Sequence, residues 1–116
     1  MSLDYYANNP NIEALGVNTS GASLLGWIFE VCGLTLCDGT PEMNLYRPRI
    51  PYTMNSRTAS RCGHTIRKVI TDNPESLKQI PIAHDGYWGD TPDEFLVFCS
   101  NFADFLETCQ GYSVPE

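Results

Sequence analysis

The sequence predicts a mainly α-helical domain, three amphipathic helices with an extended proline-rich segment crossing them. Two observations carry this expectation. Apolar residues recur at three- and four-residue spacing in three separate stretches, each preceded by a Ser, Thr or Asn able to cap a helix. Pro41, Pro48 and Pro51 crowd the chain between the first and second of these stretches, and no helix survives that density. An α+β fold with a short hairpin in 44–53 is the runner-up. The chain has 116 residues, enough for one ordinary domain with a single core.

Residues 1–18 read as an N-terminal arm and 19–116 as one helical domain. The arm is polar, with Asn8, Asn9, Pro10, Asn11 and Asn18, and room for one helical turn at 12–15. Met1, Ser2, Leu3 and Glu116 read as remnants of expression and are set aside. The first helix is SGASLLGWIFEVCG, capped by Thr19 or Ser20. Leu24, Leu25, Ile28, Val31 and Cys32 form its stripe, Trp27 and Phe29 widen it, and Gly33 follows as a C-cap. The segment YRPRIPY is expected to be extended.

The second helix, NSRTASRCGHTIRKVI, starts from Asn55 or Ser56. Ala59, Cys62, Ile66, Val69 and Ile70 point inward. Gly63 costs about 1 kcal/mol relative to alanine inside a helix, which suggests a close helix crossing there. PESLKQI can add one or two turns. IPIAHDGYWGD reads as a loop with Gly86 and Gly89 at its turns. In the third helix, TPDE forms a capping box, with Thr91 as N-cap, Pro92 at the first position and Glu94 reaching back. Phe95, Phe98, Cys99, Phe102, Leu106 and Cys109 then mark its stripe, and Gly111 closes it.

Charge is unevenly distributed. The formal net charge is −7, yet six of the seven Lys and Arg residues fall between 43 and 71, where there is no Asp or Glu. Arg57, Arg61 and Lys68 share one face of the second helix, and His64 joins them at i+3 from Arg61. Two readings follow. The strip can bind phosphate, nucleic acid or an acidic protein surface. It can instead be spent internally on Asp93, Asp104 or Glu107 of the third helix, or simply face water. An acidic chain is poorly suited to sequence-independent nucleic-acid binding, which depends on many phosphate contacts. Tyr87 and Trp88, flanked by glycines, are of the types that anchor interfaces.

Catalytic chemistry finds little support. Cys62 and His64 stand about 200° apart on a helix and cannot meet. Cys62 to Arg67 leaves four intervening residues, where a phosphatase-type loop needs five. Cys32 and Cys37 with Cys62 and His64 lack the tight ligand pairs of zinc sites. Asp90, Asp93 and Glu94 have turn and capping roles, and serine-hydrolase, P-loop and dinucleotide motifs are absent. No metal or cofactor is therefore expected. Five cysteines without an export signal point to reduced thiols in the cytoplasm, and no apolar run approaches the roughly 20 residues that span a bilayer.

The expected function is that of a small acidic, non-enzymatic interaction module binding through Arg57, Arg61, His64, Lys68, Tyr87 and Trp88. Acidic proteins that occupy basic grooves are a device of phage and mobile-element inhibitors, which suggests such an origin by analogy. The expected partner is a protein, with nucleic acid, a small anion or a second copy as further options and no membrane. The alternative is a small-anion or nucleotide-binding enzyme using the same basic face.

Overall fold

The computed structural model describes residues 2–36, 48–84 and 91–115. Its architecture is α+β, which corrects the expectation of a mainly α three-helix domain: a four-stranded antiparallel sheet stands beside the helices. In chain order the elements are β1 (Ser2–Ala7), β2 (Leu15–Asn18), α1 (Thr19–Val31), β3 (Thr53–Asn55), α2 (Ser56–Asp72), α3 (Pro74–Lys78), α4 (Ile80–His84), α5 (Pro92–Thr108) and β4 (Gly111–Ser113). The three long helices occupy the stretches that the periodicity marked. The sheet is built from the residues read as an arm, from the end of the proline-rich crossing, and from the C-terminal tail.

The strand order is β2-β1-β4-β3. β1 pairs with β2 over Ser2–Tyr5 and with β4 at Tyr6 and Ala7. Leu3 lies opposite Val17, so Ser2 and Leu3, set aside as part of an expression remnant, belong to the sheet, while Met1 and Glu116 lie outside the described residues. A hairpin lies at β1–β2; of the expected hairpin segment 44–53, residues 44–47 fall outside the described residues, and among the described ones only Thr53 enters a strand. Side chains alternate across the pleat. Ala7, Tyr112 and Met54 share one row across β1, β4 and β3, and Tyr6, Ser113 and Thr53 share the next. Tyr112 and Met54 are buried, whereas Tyr6, Ser113 and Thr53 are exposed. The Tyr112 ring meets that of Tyr5 edge-on at 5.4 Å, an arrangement that aromatic quadrupoles favour.

Helix starts follow their capping residues. Asn18, one residue before the expected cap, accepts from the Gly21 N–H to open α1. Asn55 accepts from the Thr58 N–H to open α2, and Thr91 accepts from the Glu94 N–H to open α5. α3 realises the turns expected in PESLKQI. Residues 80–84, expected in a loop, form α4, with Ile80 buried.

Buried Leu25, Ile28 and Phe29 of α1 join Phe95, Phe102 and Leu106 of α5 in the core, and Phe29 stacks on Phe102 at 5.8 Å. The proline-rich segment does cross α1. A Cβ on Gly26 would lie 2.1 Å from the Pro48 carbonyl oxygen, so only glycine admits this crossing. Arg49 then donates to the Ser23 hydroxyl and Ile50 is fully buried.

Gly63 plays the matching part between α2 and α5. A Cβ there would meet the Glu107 side chain at 2.6 Å and the Ala103 carbonyl oxygen at 2.9 Å. The close crossing that the glycine suggested is therefore present, and it sets which residues of α2 turn outward.

Candidate functional site

α2 divides lengthwise. Ala59, Cys62, Gly63 and Ile66 are buried, while Arg57, Arg61, His64 and Lys68 are exposed on the other side. The expected helix geometry thus holds, but the cations meet different fates. Arg67 reaches across to α5, where its Nε donates to Glu107 Oε1 at 2.8 Å and its terminal nitrogen pairs with both Asp104 and Glu107. Those hydrogen-bonded carboxylates hold its proton still more firmly than usual. His64 Nδ1 lies 2.8 Å from Glu107 Oε2. Lys78 of α3 pairs with Asp93 at 3.1 Å. Internal pairing therefore accounts for Arg67, His64 and Lys78. Among the described residues, Arg57, Arg61 and Lys68 form no ion pair. Tyr87 and Trp88 lie outside the described residues.

Arg61 also belongs to the wall of a cleft of about 810 Å³. α2 contributes Thr58, Arg61, Cys62 and Thr65, which follow one another along a single helix face. β3 and β4 contribute Thr53, Met54, Asn55, Tyr112 and Ser113, and the turn after α1 contributes Gly33 to Thr35. Pro51 and Asn8 complete the lining. The Tyr112 hydroxyl donates to the Pro51 carbonyl at 2.6 Å, which fixes an aromatic wall. Arg57 and Lys68 do not line this cleft. Sequence reasoning missed the cleft because its walls come from five separate parts of the chain. The signal available was the Thr58, Arg61, Thr65 series at i, i+3 and i+7.

Cys62 sits in the wall as an ordinary buried thiol. Burial pushes its pKa up, and the nearby Arg61 only partly offsets that. Burial raises the Cys32 thiol to about 11 and lifts Cys109 as well. A nucleophilic cysteine needs the opposite shift. Cys37, one of the four ligands weighed for zinc, lies outside the described residues. Among the described residues no group of three or more His, Cys, Asp or Glu side chains is placed to hold a metal ion. No described helix is long and apolar enough to cross a membrane.

Comparison with known proteins adds no relative: no family model, curated protein or solved structure matches the chain.

Proposed function

We propose that this chain is a non-enzymatic interaction module that engages an acidic protein surface through the outward face of α2. The observation that supports this most is the division among the cations. Arg67 is spent on Asp104 and Glu107, whereas Arg57, Arg61 and Lys68 are exposed with no ion pair among the described residues. Three uncommitted cations on one helix face suit electrostatic steering toward a carboxylate-rich partner. Arginine adds planar, bidentate recognition of carboxylates. The net charge of −7 argues against a nucleic-acid backbone as the partner. Free thiols at Cys32, Cys62, Cys99 and Cys109 are in keeping with a cytoplasmic setting.

The test is capture from an extract of the native host by the immobilised full chain. Wild type is compared with the triple variant Arg57→Ala, Arg61→Ala, Lys68→Ala and with the charge-preserving triple Arg57→Lys, Arg61→Lys, Lys68→Arg. The alanine triple should lose the captured protein, the charge-preserving one should keep most of it, and added salt should weaken the capture. Undiminished capture by a folded alanine triple would overturn the reading.

A further inference from the structure

We infer that the cleft between α2 and the strands β3 and β4 is a binding site for a small phosphorylated molecule, with a body about the size of a nucleoside or a hexose. This stands on the cleft's lining, which shares Arg61 with the partner surface proposed above but not Arg57 or Lys68. Three features of the lining converge. The first is its charge: in a chain with 14 acidic residues, no carboxylate lines the cleft among the described residues, and Arg61 is the single charged side chain among them. An anion entering beside these residues meets a cation.

The second feature is hydrogen-bonding capacity. The Thr65 hydroxyl is committed to the Arg61 carbonyl at 3.0 Å, and Asn55 Oδ1 to the Thr58 N–H at 2.8 Å. Among the described residues, the hydroxyls of Thr35, Thr53, Thr58 and Ser113 make no hydrogen bond. Thr58 and Arg61 stand at i and i+3 on one helix face, so a phosphate can accept from the hydroxyl and the guanidinium together. The third feature is the apolar part of the wall, Leu34, Pro51, Met54 and Tyr112, against which the body of the ligand can lie. A volume of about 810 Å³ falls within the range of about 300–1,000 Å³ usual for small-molecule sites.

The test follows amide resonances of the ¹⁵N-labelled full chain during titration with adenosine 5′-monophosphate and with glucose 6-phosphate. Adenosine, glucose and inorganic phosphate serve as controls. At least one of the two esters should shift the amides of Thr35, Thr53, Thr58 and Arg61 saturably at millimolar concentration, and every control should bind at least roughly tenfold more weakly. Arg61→Gln should weaken the ester by roughly tenfold or more, the usual consequence of removing a charge-assisted hydrogen bond. Thr53→Trp tests the cleft without touching charge: an aromatic suits an exposed strand position, and the indole should fill the mouth and abolish binding. Thermal melts of both variants establish that they are folded. Arg57→Gln with Lys68→Gln should leave ester affinity unchanged, which separates this site from the partner surface. The inference is overturned if neither ester gives a saturable shift, if phosphate alone binds as well as the esters, or if the shifts centre on Arg57 and Lys68.

Discussion

Arg61 and Arg67 stand on the same helix and carry the same charge, yet they belong to different kinds of surface. Arg67 crosses to α5 and ties itself to Asp104 and Glu107. Arg61 has no ion pair among the described residues and faces the cleft beside β3 and β4. The difference is one of helix phase. The close approach of α2 to α5 at Gly63 puts Arg67 within reach of acidic side chains and turns Arg61 away from them. A run of cations in a sequence is therefore not one feature. The crossing partner decides which members are structural and which remain available.

The contrast between the two sides of α2 can be tested by mutation, beginning where the effect should be greatest. Ile66 is fully buried on the inward side, and Ile66→Ala should cost about 2–5 kcal/mol in urea unfolding. A loss no larger than that of a surface substitution would mean that the inward face is not packed as described. Gly63→Ala comes next. The added Cβ must displace the Ala103 carbonyl or the Glu107 side chain, at about 1–3 kcal/mol for overpacking, against roughly 1 kcal/mol of helix propensity gained. A net loss of stability is expected, and a gain would show that the two helices can separate without cost.

Arg67→Ala should cost about 1 kcal/mol, since exposed ion pairs contribute little individually. That loss should shrink in high salt, as thermal melts across a salt series would show. Alkaline melts probe a second contact of the helical layer. The half-buried Cys32 thiol is raised by desolvation from 9.0 to about 11, so the unfolded chain loses this proton before the folded one. The associated stability is intact below pH 9 and declines as pH rises toward 11. Cys32→Ala should flatten that decline, and an unchanged slope would count against burial as its cause. The smallest effect belongs to the outward side: Arg57→Ala, Arg61→Ala and Lys68→Ala should each change stability by no more than about 0.5 kcal/mol.

The helices could be read in the sequence because their information is local. Asn55, Thr91 and Pro92 lie within a turn of the groups they cap or start, and the apolar stripes repeat many times over. The sheet could not be read in this way. β3 and β4 have three residues each, too few for alternation to register, and β4 pairs with a strand from the opposite end of the chain. β1 does alternate, with Tyr5 buried and Tyr6 exposed, but the asparagines and proline after it dominated the reading. Of the candidate site, the exposed cations of α2 followed from helical phase alone. That Glu107 takes His64 and Arg67 rather than Arg61 depends on the crossing at Gly63. The cleft depends on tertiary contact throughout.

The place of β4 inside the sheet, between β1 and β3, also governs the order of assembly. β1 and β2 can form a hairpin as soon as they leave the ribosome, but β3 has no neighbour to join until the residues near 111–113 arrive. Nascent chains arrested at 108 should hold helical segments without a continuous sheet, and release of the last strand should be the step that makes the domain resistant to protease. Joining β3 to β1 therefore waits on β4, whose pairing with β1 spans most of the sequence, the kind of long-range contact that slows folding.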